Sequence, residues 1–235
     1  MTGITRLNNP VWHALTGPHA RFALGRGNAR HYPRDIAPFS GIAEPTPAAY
    51  ADLAADLPRH AEARLFRPEN EPAPRGWEVL SARRILQMLC DDKELPPARE
   101  SESRIVTLSP ADVPDMLALA EATEPGPFAV RTHELGVHVG IRDARDGRLI
   151  AMGGERLRLD NCVELSAIAV HPAARGCGLG AAIVASLVRA AIARGEVPFL
   201  HVFPNNPALQ LYRRLGFRDH ATLWVLWHRP VAEGC

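Results

Sequence analysis

Glu164-Leu-Ser-Ala-Ile-Ala-Val170, followed by His171-Pro-Ala-Ala-Arg175-Gly-Cys-Gly-Leu-Gly180, is the stretch on which the reading of this chain turns. An apolar run, Cys162 to Val170, reads as a strand, and Gly180 to Arg194 reads as a helix with Ile183, Val184, Leu187, Val188 and Ile192 on one face. Between them lies a turn whose glycines permit positive φ and close backbone approach. Successive amide groups at a helix N-terminus form a cradle for an anion, and Arg175 adds a fixed positive charge. The ligand this predicts is a phosphate or pyrophosphate. The glycines stand at 176, 178 and 180, without the Gly-Lys-Ser/Thr ending of a nucleoside triphosphatase loop or the spacing of a dinucleotide fold.

Working outward, Val197 to Phe203 reads as a buried strand, Pro207 to Leu215 as a short helix and Phe217 to Trp227 as a last β segment. Upstream, Arg104 to Leu108 reads as a strand. Ser109-Pro-Ala-Asp112 opens a helix carrying Val113, Met116, Leu117 and Leu119. Val137 to Arg142 and Leu149 to Arg158 flank the turn Asp143 to Arg148 as a hairpin would. The order is that of an α/β fold with a mixed sheet. Twelve of the 21 prolines fall in the first hundred residues, a region of short elements: a helix from Thr46-Pro47 to about Leu57, and strands at Glu62 to Phe66, Trp77 to Leu80 and Ile85 to Cys90, the last two joined by Ser81 to Arg84. Asp91 to Ser103 is acidic and proline-rich and reads as a linker, which divides the chain into segments 1–100 and 104–229.

Composition removes several classes of function. The 27 basic and 26 acidic residues divide evenly, 13 and 12 up to residue 100 and 14 and 14 beyond it, so the electrostatic footprint of a nucleic-acid binder is missing. The longest apolar segment, Leu179 to Val188, falls far short of a membrane span. Cys90, Cys162, Cys177 and Cys235 make neither a close-spaced metal pair nor a disulfide ladder, so no metal is expected. With no basic-then-apolar leader at the start, a reducing cytoplasm is the expected location. A monomer or a homodimer fits equally.

A second run follows the glycine turn by some thirty residues: Asn205-Asn-Pro-Ala208-Leu-Gln-Leu-Tyr212-Arg-Arg-Leu-Gly216-Phe217. The two runs together resemble the GNAT superfamily of N-acetyltransferases. Arg175, Gly178 and Gly180 match its cofactor loop, and Asn205, Ala208, Leu211, Tyr212, Gly216 and Phe217 match its later motif. Glu-Leu-Ser before the loop and Pro198-Phe-Leu-His-Val202 look closest to the glycine N-acyltransferase-like branch. Segment 1–100 then reads as an accessory lobe or a degenerate copy of the same fold.

The resemblance implies a geometry and a chemistry. Strands 162–170 and 197–203 should splay into a V-shaped gap that holds the pantetheine of acetyl-CoA beside Ile168, Ala169, Val170 and Asn205. The loop Arg175, Gly176, Cys177, Gly178, Leu179 and Gly180 should hold the pyrophosphate. A backbone amide in the strand would polarise the thioester carbonyl. The acceptor is a primary amine of a small molecule, amino acid or peptide. An amine of pKa near 10.4 is only about one part in 2,500 neutral at pH 7, so a proton acceptor is useful, and Glu164 is the candidate base. Tyr212 is the candidate acid for the leaving thiolate. His133, Glu134 and Glu155 are rivals for a role near the acceptor. The equivalent of another base position is Leu200, which is apolar; His171 and His201 read as structural. A longer acyl-CoA, or a non-catalytic acyl-CoA-binding module, is the alternative reading.

Overall fold

The computed structural model describes residues 3–58, 61–90 and 100–231, so most of the linker read at 91–103, with Lys93, and the cysteine at 235 lie outside the described residues. After a 3-10 turn at Gly3–Asn8 come α1 (Pro10–Leu15), β1 (Ala29–His31), β2 (Ser40–Ile42), α2 (Pro47–Asp56), β3 (Ala63–Arg67) and β4 (Trp77–Leu89). Then follow β5 (Val106–Thr107), α3 (Val113–Thr123), β6 (His138–Arg142), β7 (Leu149–Leu159), β8 (Cys162–Val170), α4 (Leu179–Ala193), β9 (Val197–Val202), α5 (Leu209–Arg214) and β10 (Arg218–Pro230). Eight strands form one mixed sheet in the order β3-β10-β4-β9-β8-β7-β6-β5, and β1 and β2 form a separate antiparallel pair.

Local chemistry explains several boundaries. Thr46 caps α2, its hydroxyl accepting from the Ala49 amide, with Pro47 at the first helical position. Ser109 and Asp112 form a capping box that leads through a short 3-10 turn into α3. The strand read at Arg104 to Leu108 is shorter, only Val106–Thr107, because Glu100–Arg104 coils into a 3-10 helix.

One expectation needs correction. Trp77 to Leu80 and Ile85 to Cys90 are not two strands. Ser81 to Arg84 stays inside a single 13-residue strand, with Ser81 opposite Trp227 and Arg84 opposite Trp224 of β10. The polarity that looked like a turn belongs to a solvent-facing stretch, where Arg83 and Arg84 lie over the rings of Phe203 and Trp224. This long strand runs between β10 and β9, so strands from both sides of residues 100–104 share the sheet.

Helices cover both faces. On one, Ile183, Val184, Leu187 and Val188 of α4 pack on Val139, Ile141 and Ala151, with Tyr212 of α5 in the same cluster. On the other, α3 packs through Met116 and Leu119 on Met152, Ala167 and Ala169. Beside it the N-terminal segment sets Leu7, Val11, Leu15, Tyr32 and Phe39 against Leu157, Cys162 and Phe199. No helix among the described residues is long and apolar enough to cross a membrane.

Candidate active site

Strands β8 and β9 run parallel and pair only at Cys162↔Val197, Val163↔Pro198 and Glu164↔Phe199. Beyond that point the strands part, and a wedge opens between residues 165–170 and 200–202. On its far side β9 remains anchored to β4, through Leu86↔Val202 to Leu89↔Phe199. The splay anticipated from the resemblance is therefore present, and its apex lies at Glu164.

Inside the wedge β8 carries a bulge. The register with β7 steps from Met152↔Ala169 to Gly154↔Ser166, so β8 spends one residue more than its partner. Ala167 absorbs the excess at φ +55°, one of two non-glycine residues at positive φ among those described. A non-glycine residue in that region carries strain of order 1–3 kcal/mol, and such strain collects at functional sites. The extra residue also turns the later side chains over. Ile168 then reaches Ile183 and Leu187 of α4 beside Gly153, while Ala167 and Ala169 pack under α3. Sequence reasoning missed this bulge, since an alanine in an apolar strand gives no sign of positive φ.

The strand leads into the loop. His171 caps a short 3-10 turn by accepting the Ala173 amide at Nδ1, and Arg175 donates from Nε to the Val170 carbonyl at 3.3 Å. Gly176 and Gly178 take φ +81° and +73°, and Gly178 is the N-cap of α4. The helix ladder begins with Ala182 donating to Gly178, which leaves the amides of Leu179, Gly180 and Ala181 without intrahelical acceptors. A Cβ on Gly176 would meet nothing within 4 Å, so the loop is open on that side. Gly180 differs: its φ is not positive, and a Cβ there would sit 3.5 Å from Val170 and 3.7 Å from Leu211. Leu211 thus brings α5 against the start of α4. Exposed Cys177 is a free thiol whose Sγ lies 3.8 Å from the Arg175 carbonyl.

Tyr212 lies on α5, with its ring edge-on to Phe217 at 6.0 Å. Burial pushes its phenol up to about 12, so the hydroxyl keeps its proton at neutral pH. Asn205 is exposed on the loop after β9, and its neighbour Asn206 accepts the Ala208 amide to start the turn into α5.

Glu164 is fully buried at the apex of the wedge. Arg156, which sequence reasoning did not single out, donates to both carboxylate oxygens, from Nη2 at 2.6 Å and Nε at 2.8 Å. The imidazole of His201 lies 2.7 Å from Oε1 through Nδ1. Burial alone would raise this carboxyl, but Arg156 and His201 together outweigh it and hold the group at about 2. Only the hairpin register could have foretold Arg156, because its partner stands eight positions on across a turn and a bulge.

His133, Glu134 and Glu155 come together elsewhere. They line a cavity of about 660 Å³ with Arg21, Phe22 and His138, and neither Tyr212 nor Glu164 lines it. Glu155 is buried against Arg158 and Arg194, and Glu134 is held below its usual range by a bidentate bond from Arg131. Burial lowers His138, which favours its neutral form. Among the described residues no group of three or more His, Cys, Asp or Glu side chains is placed to hold a metal.

A splayed parallel pair, a bulge at its centre and a glycine loop leading into a helix N-terminus at its open end define the fold. Comparison with known proteins gives the family. The FR47-like protein family matches residues 138–225. A protein assigned to the GNAT acetyltransferase family, from Novosphingobium aromaticivorans, shares 38% identity over 94% of this chain and 97% of its own, with a TM-score of 0.85. A GCN5-related N-acetyltransferase from Kribbella flavida shares the fold at 18% identity, covering 99% and 96% of the two chains with a TM-score of 0.64. One from Sphaerobacter thermophilus does so at 16% identity, covering 88% and 79%, with a TM-score of 0.52. No curated protein matches. The chain belongs to the GNAT acetyltransferase family.

Proposed function

We propose that this protein moves an acetyl group from acetyl-CoA to the primary amine of a small molecule, amino acid or peptide. One observation carries the reading: the β8–β9 wedge opens directly onto a helix N-terminus whose N-cap, Gly178, sits at φ +73°. The residues suit the cofactor. The open side of Gly176, the first-turn amides of α4 left without intrahelical acceptors, and Arg175 answer a pyrophosphate. The strand edge at Ile168, Ala169 and Val170 answers an extended amide-bearing arm, with Asn205 at the loop beside it.

Acetyl-CoA would supply the activated acyl group, and the chain would supply its alignment. The bulge at Ala167 is suited to aiming a backbone amide into the wedge. Tyr212, held protonated by burial, is assigned the acid for the departing thiolate. The base role is not carried over to Glu164. A carboxylate near pKa 2 with both oxygens engaged is a poor proton acceptor. The cavity holding His133, Glu134 and Glu155 is our choice for the acceptor mouth. In this reading segment 1–100 is accessory to the catalytic unit 104–229, since it completes the sheet through β4 and covers the face across from α4.

Calorimetric titration with acetyl-CoA tests the reading, with Gly178→Glu as the blocked-loop control. Micromolar binding that the control abolishes supports it, and an amine panel read by thiol release then finds the acceptor. Absence of binding to the wild-type chain would sink it.

A further inference from the structure

The wedge must keep a set width without a backbone ladder, and the side chains at its apex suggest how. Glu164 belongs to the last backbone pair between β8 and β9, while His201 lies two residues further along β9, where the strands have already begun to part. The 2.7 Å bond between His201 Nδ1 and Glu164 Oε1 spans the start of the opening. Each partner is held from behind. Arg156 on β7 grips both oxygens of Glu164, and its guanidinium lies 4.8 Å over the ring of Phe39 from the N-terminal segment. Gln87 on β4 stands 2.9 Å from His201 Nε2 through its Nε2, which also donates to the Leu7 carbonyl at 3.1 Å.

Donation from Gln87 makes His201 Nε2 the acceptor, so Nδ1 carries the proton and donates to Glu164. The amide cannot be turned over, because its oxygen would then face the Leu7 carbonyl. In the orientation found, the buried Gln87 Oε1 has no hydrogen-bond partner among the described residues. Leaving a buried acceptor unsatisfied is costly, which marks the two donations as the contacts retained. The ring of Phe66 lies 4.8 Å from that of His201 and closes off the site. The chain of contacts thus runs through β7, β8, β9 and β4 and ends at the N-terminal segment.

We propose that Glu164 and His201 are a positioning pair whose charge-assisted hydrogen bond fixes the separation of β8 and β9, and so the fit of the pantetheine arm between them. This rests on the acetyl-CoA reading above. It gives Glu164 a reason to be a carboxylate that does not require proton transfer. It also gives segment 1–100 a direct hold on the wedge, through Gln87 and Leu7.

Two ligands separate the wedge from the loop. Adenosine 3′-phosphate 5′-diphosphate carries the pyrophosphate for the loop but has no pantetheine arm, whereas CoA needs both. For His201→Leu we expect CoA affinity to fall about tenfold or more, with affinity for the arm-less nucleotide within about twofold of wild type. The turnover number should fall as well. His201→Asn places an amide nitrogen near the position of Nδ1 and should recover most of the CoA affinity. Unchanged CoA affinity in folded His201→Leu would overturn the proposal, as would equal losses for both ligands, which would mean general loosening. If His201→Leu does not fold, Gln87→Leu takes its place, with a CoA-selective loss of about threefold expected and no loss counting against the pair. A wild-type chain that binds neither ligand would remove the acetyl-CoA reading itself, an outcome distinct from binding that the variants leave unchanged.

Discussion

The strand–loop–helix at 162–193 and the strand at 77–89 meet in one sheet, yet they are built on different information. In the first, adjacent residues do the work: an apolar run, two glycines at positive φ and an apolar helix face follow one another along the chain. In the second, Trp77–Leu89 has no partner nearby. It pairs with β10, whose residues lie some 140 positions on, and with β9. The difference teaches that the geometry of the loop is set locally, whereas the wedge beside it depends on a distant segment to hold one wall in place.

The comparison is tested most severely at the wedge apex. Glu164→Ala leaves the Arg156 guanidinium buried without its partner, a change that typically costs about 3–5 kcal/mol. Denaturant unfolding should register that loss, and the double variant Arg156→Met/Glu164→Leu should regain much of it. A loss below about 1 kcal/mol, the range of exposed pairs, would mean that the apex charges hold nothing together. The pH dependence has a definite sign. Glu164 is depressed to about 2 in the folded chain, so its stabilisation is full above the ordinary carboxylate range and disappears as pH falls from about 4.5 towards 2.

Next comes the loop, where the effect should be confined to ligand. Gly178→Glu puts a side chain at φ +73° and a negative charge at the N-terminus of α4, where the proposed pyrophosphate would bind. Acetyl-CoA affinity should fall at least about a hundredfold, equivalent to about 2.7 kcal/mol, as read by calorimetry. Fold stability should change far less than for Glu164→Ala. If the two variants instead lose stability equally, the separation between local loop and long-range wedge fails.

Tyr212→Phe removes only a hydroxyl. With CoA binding retained, turnover should drop about ten- to a hundredfold if the phenol donates the proton. Because burial places the group at about 12, the acid should not titrate away below pH 10, and a descending limb at pH 8 would point to another donor. Unchanged turnover would take the role from Tyr212 altogether.

Legibility in the sequence followed the same division. The hairpin β6–β7, the strand β8, the helix α4 and the strand β9 lie within a residue or two of their expected limits, and Thr46-Pro47 marked α2. The loop residues 175–180 and Tyr212 could be put forward from sequence because a motif gathers its residues as near neighbours along the chain. What escaped depended on partners far along the chain or on backbone geometry. Ser81 to Arg84 looked like a turn because solvent exposure and turn chemistry both favour polar residues. Arg156 carried no signal without the hairpin register, and the bulge at Ala167 none without coordinates. His201, read as structural, buries its side chain and bonds to Glu164 across the start of the wedge, a contact that no feature of the sequence pointed to.

The smallest expected effect is the sharpest test of how the loop uses its glycines. All three stand in one motif, and sequence alone gives each the same reason to be glycine. Their geometry separates them: Gly176 and Gly178 need positive φ, whereas Gly180 already has a backbone that any residue adopts and room for a methyl group. Gly180→Ala should therefore leave stability within about 0.5 kcal/mol of wild type, and helix propensity even favours it. Any penalty must then come from ligand: in the proposed site the amide of residue 180 belongs to the cradle, and a Cβ beside it matters only where a phosphate approaches closely. A several-fold loss of acetyl-CoA affinity at unchanged stability would locate the pyrophosphate against the first turn of α4. Wild-type affinity would shift the anion towards the open side of Gly176 and Arg175, where Gly176→Ala, strained at φ +81°, should then be the more damaging of the two.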